Sequence, residues 1–197
     1  MPLPSPDRIA AHLAALPPQE RSPKEAAVAV ALRWGPDPEV LLMQRRARDG
    51  DPWSGQVSFP GGHRELDDRD LTHTACREAH EELGIDLATD ATPLGQLSPI
   101  QAMARGERVN LWITPVLFHV TAPLDPQPSA EAEAAFWLPL TRAARGDFDH
   151  RYHYQDARRK LSLPAWQFEK RIIWGLTFRM LTALLHDLVP PTPSQDS

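Results

Sequence analysis

Three carboxylates crowd one short stretch of this chain. Arg77 is followed by Glu78, Glu81 and Glu82 in the run REAHEELG. On an α-helix, at about 100° per residue, Glu81 and Glu82 lie three and four positions beyond Glu78, so all three share one face. Like charges this close destabilise a helix unless a cation neutralises them. A hard divalent cation such as Mg²⁺ does so through oxygen ligands and keeps room for water and substrate phosphate. The plainer alternative is a solvated acidic face paired with Arg77 and His80. Context favours the metal reading: the turn Phe59-Pro60-Gly61-Gly62 precedes the cluster, and Gly84 is placed to cap the helix C-terminus. Ala75, Cys76, Ala79 and Leu83 occupy the adjoining face, so the helix can bury one side and offer its acids to a cleft.

The elements around this helix are legible as alternating strands and helices, an α/β pattern. Ala26 to Trp34 is a compact apolar run suited to a buried strand, and Glu39 to Arg45 is its hairpin partner across Gly35-Pro36-Asp37-Pro38. Arg45, Arg46 and Arg48 lead into a loop from Asp49 to Gly55, then a strand from Gln56 to Phe59. The acidic helix is expected to start near Asp68 to Leu71. Leu94 to Ile100 reads as a strand, Ala102 to Arg108 as a polar loop, and Val109 to Val120 as a long strand in which Pro115 forces an edge or a bulge. Asp149 to Lys160 suggests a hairpin or loop over the cleft. Glu169 to Leu188 reads as one long helix with Ile172, Ile173, Leu176, Met180 and Leu184 as its apolar stripe. A short N-terminal helix over Arg8 to Leu16 presents Ile9, Leu13 and Leu16 on one side and is expected to pack on the domain.

The stretch from Gly62 to Ile85 resembles the box of the Nudix hydrolases, G-x5-E-x7-R-E-U-x-E-E-x-G-U, with U apolar. Arg77, Glu78, Ala79, Glu81, Glu82, Gly84 and Ile85 match its second half without exception. Fourteen residues separate Gly62 from Arg77 where the plain box has thirteen. Counted back from Arg77, the first Glu falls on Arg69, and one of the flanking aspartates, Asp68 or Asp70, is expected to take its role. The resemblance implies an α/β/α sandwich with a mixed β-sheet between helices. It implies Mg²⁺ or Mn²⁺ held by Glu78, Glu82 and Glu81, with a backbone carbonyl of Gly62 or Gly61 helping. Glu81 is also a candidate base, Arg77 orients a glutamate, and Glu131 or Glu133, ahead of Phe136-Trp137, is a further base candidate, with Glu131 favoured. His153 is an outside candidate. Trp137 reads as core.

The spacing of the turn, with Leu41, Leu42, Arg45, Gly55 and Phe59 to Gly62 ahead of the box, is similar to the coenzyme A pyrophosphatase branch. Met43, Arg46 and a loop one residue longer depart from that pattern. By this resemblance Arg45 and Arg48 are candidate phosphate contacts, Gly61 approaches the substrate, and Gln101 to Arg108 shapes specificity. The implied reaction is hydrolysis of a diphosphate in a nucleoside diphosphate derivative, with coenzyme A or acyl-coenzyme A leading. Another dinucleotide, a nucleotide sugar, a nucleoside triphosphate, or a ligand-binding regulator without turnover stay open as alternatives.

Composition bounds these readings. At 197 residues, 42% apolar and 24% charged, the chain suits one globular domain with a sizeable core. A formal charge of −5 argues against general nucleic-acid binding. A single cysteine, Cys76, excludes an internal disulfide. Neither a secretory signal nor a membrane span is legible, which points to a cytoplasmic protein. The expected organisation is an N-terminal extension over 1–25, a catalytic domain over 26–189 and a disordered tail over 190–197. A homodimer contact through the extension is left open.

Overall fold

A computed structural model of the chain describes residues 4–17, 24–104, 107–155 and 160–188. The tail expected over 190–197 lies outside them. The centre is the parallel pair β1 (Glu25–Arg33) and β7 (Glu107–Val120), registered from Glu25–Trp112 to Leu32–His119. β2 (Glu39–Arg45) continues the sheet beyond β1, and β8 (Ala132–Pro139) runs antiparallel along β2. On the far side of β7 lie β5 (Ala91–Gln96) and β6 (Ile100–Ala104).

Alternation along the strands assigns the two faces. Ala27, Ala29 and Ala31 of β1, with Leu41 and Met43 of β2, turn to one core. There α2 (Leu71–Leu83) buries Ala75, Ala79 and Leu83, and α3 (Leu87–Asp90) follows it. The three alanines let the acidic helix approach the sheet closely. Val30, Leu32, Val40 and Leu42 turn to the other core, which α1 (Pro6–Ala14), α4 (Leu140–Ala144) and α5 (Gly175–Leu188) cover. The result is an α/β/α sandwich around a mixed sheet. α1 lies on its own domain: Ile9 is 1% exposed and Leu13 6%, each such burial contributing about 1.5–3 kcal/mol.

The opening for a site comes from a splay in this sheet. β1 and β2 pair only at Leu32–Val40 and Arg33–Glu39, next to their turn. Below that point β3 (Val57–Ser58) pairs with β2, and β4 (Gly61–His63) pairs with β1. The Phe59-Pro60 link between β3 and β4 wedges the two strands apart, with the Pro60 carbonyl accepting from the Ala29 N–H at 2.8 Å.

Several elements differ from the sequence expectation. Of the polar loop expected over 102–108, residues 102–104 belong to β6 and 107–108 to β7, which pair antiparallel at Met103–Arg108 and Ala104–Glu107, and residues 105–106 lie outside the described residues. Pro115 is neither at an edge nor in a bulge of its own strand. Its carbonyl accepts from the Leu97 N–H at 3.0 Å, so its missing donor falls where β5 gives way to β6 and costs no ladder bond. The long helix from Glu169 is also corrected. Residues 171–174 form β11 (Arg171–Trp174), and the helix starts only at Gly175, whose φ of +63° breaks the strand from the helix. β-branched Ile172 and Ile173 favour the strand. With β9 (Asp149–Gln155) and β10 (Lys160–Phe168), β11 completes a second, three-stranded antiparallel sheet in the order β11-β10-β9. Among the described residues, no helix is long and apolar enough to cross a membrane.

Candidate active site

The acidic helix is fixed at both ends by its own sequence. Asp70 is the N-cap, its carboxylate accepting from the His73 N–H at 2.8 Å. Gly84, at φ +66°, closes the C-terminus with its N–H on the His80 carbonyl. These ends aim Glu78 and Glu82 at the splay between β1 and β2. A cavity of about 410 Å³ opens there, lined by Glu78, Glu82, Arg45, Gly61, Gly62 and Glu131 on its polar side. Val28, Leu111, Ile113 and Met180 supply its apolar wall.

The three box glutamates are not equivalent. Glu82 is buried, and its Oε2 accepts from the Gly61 N–H at 2.8 Å. Its Oε1 lies 3.6 Å from Arg45. Burial is the main cause that pushes its carboxyl up to about 7. Glu78 is half-buried and is also raised, again chiefly by burial. Glu81 is exposed and does not line the cavity; it accepts from Arg77 at 3.2 Å on the outer side of the helix. On the helix Glu81 and Glu82 flank Glu78 on opposite sides, so one of the two had to turn outward.

Asp68, rather than Asp70, takes the place of the first box acid. It is the sixth residue after Gly62, so the spacing from the glycine is intact and the extra residue falls before Arg77. Its side chain is 1% exposed. It accepts two bonds from Arg77, at 3.1 Å from Nε and 3.0 Å from a terminal nitrogen. The Glu65 N–H, the Thr74 hydroxyl and His73 Nδ1 fill its remaining lone pairs, at 2.9, 3.0 and 2.8 Å. The Arg77 fork beside it holds the carboxyl well below the usual range. A carboxylate so occupied has no lone pair left for a metal. Arg77 passes the constraint on, donating to Glu78 at 3.0 Å and to the His63 carbonyl at 2.9 Å.

The glycine pair is required by contact. A Cβ on Gly61 would stand 2.4 Å from the Ala27 carbonyl oxygen, and one on Gly62 would stand 2.4 Å from Glu78 Oε1. The second clash involves the movable end of a side chain. Gly62→Ala is therefore expected to cost at least about tenfold in kcat by displacing Glu78, and less than about 1 kcal/mol in stability. Parallel rate assays and thermal melts separate the two effects.

The remaining candidates fall at differing distances from the cavity. Arg45 lines it, paired to Asp51 at 2.9 Å, while its Nε has no hydrogen-bond partner among the described residues. The Ser58 hydroxyl, which sequence reasoning did not single out, is likewise buried, its residue lines the cavity, and it has no partner among the described residues. Both are ready donors for an anion. Arg48 is exposed and bonds Glu131 at 3.1 Å, so the two neutralise each other at the cavity mouth. Glu133 and His153 line neither this cavity nor the larger one beside it. Trp137 packs on the core with Arg33 over its ring at 4.2 Å. Trp53 and, from α5, Leu176, Thr177 and Met180 were not foreseen as lining residues. The Thr177 hydroxyl donates to the Val57 carbonyl at 2.8 Å and clamps α5 to the wedge strands.

Hard carboxylate oxygens with a close-approaching Gly-Gly backbone suit a hard divalent cation. Both cavity glutamates are raised chiefly by burial, against the lowering effect of Arg77 on Glu78 and of Arg45 on Glu82. As they stand, among the described residues no three His, Cys, Asp or Glu side chains converge to enclose an ion. Arg77 and Arg45 instead act as counter-ions for Glu78 and Glu82. The residue types fit a cation.

An acidic helix packed beneath a Gly-Gly turn, in the splay of an α/β/α sandwich, defines the site of a Nudix hydrolase. The NUDIX domain model matches residues 23–157, and the chain belongs to this family. The Nudix hydrolase NudL of Yersinia pestis (strain Pestoides F) is 33% identical over 187 residues, 92% of this chain and 87% of that protein. Two solved structures are more loosely similar. A C. elegans Ap4A hydrolase in a binary complex is 25% identical, over 62% of this chain and 84% of its own, with a TM-score of 0.49. The NUDIX domain of Shewanella oneidensis NrtR, complexed with ADP ribose, is 22% identical, over 69% and 86%, at 0.45. The chain is accordingly a hydrolase acting on a nucleoside diphosphate derivative, in a family that generally uses divalent metal ions.

Proposed function

We propose that this chain hydrolyses the diphosphate of coenzyme A or an acyl-coenzyme A, giving 3′,5′-ADP and 4′-phosphopantetheine, with Mg²⁺ or Mn²⁺ held by Glu78 and Glu82. The observation that carries the metal assignment is the pair of carboxylates, Glu82 buried and Glu78 half-buried, in one cavity with Arg45. The coenzyme A assignment rests on Leu41, Leu42, Arg45, Gly55 and Phe59 to Gly62, which resemble the pattern of that branch. When bound, the cation neutralises the diphosphate and lowers the pKa of its water.

The protein's own groups divide the remaining work. Glu78 and Glu82 supply the negative charge that binds the cation. Arg77, anchored by Asp68, fixes the direction of Glu78. Arg45 and the Ser58 hydroxyl donate to phosphate oxygens. Glu131, at the cavity mouth, takes the proton of the attacking water, and Glu81 acts outside the cavity as a counter-charge to Arg77. The domain spans 26–189 after an extension over 1–25. The protein works in the cytoplasm on a small molecule, without a membrane or nucleic-acid partner.

Product analysis with Mg²⁺ and a mixed panel tests the reading. The panel holds coenzyme A, NADH, ADP-ribose, diadenosine polyphosphates and dNTPs. The expected result is 4′-phosphopantetheine and 3′,5′-ADP as the fastest products. Faster cleavage of another member sinks the coenzyme A assignment and leaves the hydrolase site intact. If nothing is cleaved, with Mn²⁺ also tried, the chain is a ligand-binding regulator instead.

A further inference from the structure

The three-stranded sheet has one face too many for a core. Trp166 of β10 and Ile173 of β11 point into the main core. On the opposite face stand Tyr152 and Tyr154 of β9, Leu163 of β10, and Trp174 of β11. These line a second cavity, of about 810 Å³. The Tyr152 and Trp174 rings stack there at 4.2 Å and 24°. This cavity adjoins the catalytic one, since Trp53, Gln56 and Leu176 line both. Trp53 at the junction is fixed by its Nε1–H, which donates to the Met103 carbonyl at 3.0 Å.

The two cavities have opposite charge. Glu65, Glu78, Glu82 and Glu131 dominate the catalytic one. The second has Lys170, Arg171 and Arg179, and among its described lining residues no carboxylate. Arg171 is already engaged, bonding Glu169 and lying over the Phe136 ring at 4.4 Å. Lys170 and Arg179 are exposed and have no ion pair among the described residues. A flat aromatic surface with unspent cations beside it suits a nucleobase whose ribose bears an anion.

We propose that this second cavity holds the nucleoside end of the substrate, stacking its base on the Tyr152–Trp174 surface and pairing Lys170 and Arg179 with a phosphate monoester on the ribose. The inference deepens the coenzyme A reading, because the diphosphate is taken by the catalytic cavity and only an additional phosphate can use these cations. The cavity thereby selects 3′-phosphorylated nucleosides over their dephosphorylated forms.

The test uses the full chain with Mg²⁺ and the double variant Lys170→Ala/Arg179→Ala, whose exposed positions leave the fold intact. Binding of 3′,5′-ADP and of 5′-AMP is followed by tryptophan fluorescence. Hydrolysis of coenzyme A and 3′-dephospho-coenzyme A is measured alongside. The native chain is expected to bind 3′,5′-ADP about tenfold tighter than 5′-AMP, with a similar preference in kcat/KM for coenzyme A. In the double variant both ratios fall toward one. Equal binding of the two nucleotides by the native chain, or a preference that the double variant keeps, overturns the inference. Dependence on acyl-chain length with no dependence on the 3′-phosphate also overturns it, giving the cavity to the other end of the substrate. A 3′-phosphate preference in binding, lost in the variant, with no cleavage of coenzyme A sustains this cavity and refutes the coenzyme A reading alone.

Discussion

Replacing Glu82 by Gln is expected to lower kcat about a thousandfold, roughly 4 kcal/mol of transition-state stabilisation, while the fold persists. Gln keeps the volume and one acceptor for the Gly61 N–H, which Glu82 now accepts at 2.8 Å. What it removes is the charge at the base of the cavity. Stability responds in the opposite sense. Burial sets the Glu82 carboxyl at about 7 against an ordinary 4.5, so the folded chain binds a proton that the unfolded chain releases. The stability this group contributes is complete below about pH 4.5 and is lost as pH rises through about 7. In EDTA, the native chain should therefore lose thermal stability relative to Glu82→Gln between pH 5 and pH 8. Glu81→Gln is the control. Its parent side chain is 55% exposed and outside the cavity, so its loss should cost less than about tenfold. Turnover retained by Glu82→Gln would remove Glu82 from the metal site. Equal losses from both variants would mean that Glu81 turns inward in the working enzyme.

How much of this was legible depends on the range over which each signal acts. The acidic helix, its Gly84 cap and its buried alanines are set by local spacing, and they stand where the sequence places them, while the Asp70 N-cap emerges only in the structure. The apolar run Ala26 to Trp34 and its hairpin partner Glu39 to Arg45 were equally plain, and the strands stand at Glu25–Arg33 and Glu39–Arg45. The splay was not, because it depends on pairing between Val28 and Gly61 and between Met43 and Ser58, which no local pattern encodes. β11 was hidden for a different reason. Ile172, Ile173, Leu176 and Met180 have helical spacing, yet Gly175 in the left-handed region divides them between a strand and a helix. With that strand misread, the three-stranded sheet and the aromatic cavity on its face could not be anticipated. Glu81 shows the limit of helical geometry: an arc of about 100° contains three acids, but only Glu78 and Glu82 of them line the cavity.

Asp68 is the place where counting alone misled and where the largest loss of stability is expected. Counted back from Arg77, the first acid of the box lands on Arg69, which is exposed. Counted forward from Gly62 it lands on Asp68, whose burial and five hydrogen bonds decide the matter. Asp68→Asn should destabilise the fold by about 3 kcal/mol or more, because it removes the buried counter-charge of the Arg77 fork and leaves the guanidinium only Glu78 and the exposed Glu81 and Glu65. For a domain of this size, that is a fall in Tm of about 6–12 °C. Activity should fall about 10- to 100-fold as well, since Arg77 no longer holds Glu78 in one direction. The acid limb gives the sign. The Asp68 carboxyl is held below its ordinary 3.8, so its contribution is present above that pH and is lost as pH falls below it. The gap between the native chain and Asp68→Asn should therefore be widest near neutrality and close in acid. Asp68→Glu separates charge from fit: it keeps the carboxylate but adds a methylene where the side chain is 1% exposed. Overpacking at such a position costs about 1–3 kcal/mol, so this variant should fall between the other two in Tm. If Asp68→Glu is as unstable as Asp68→Asn, fit to the shortened side chain, and not charge, is what the extra residue in the loop selected.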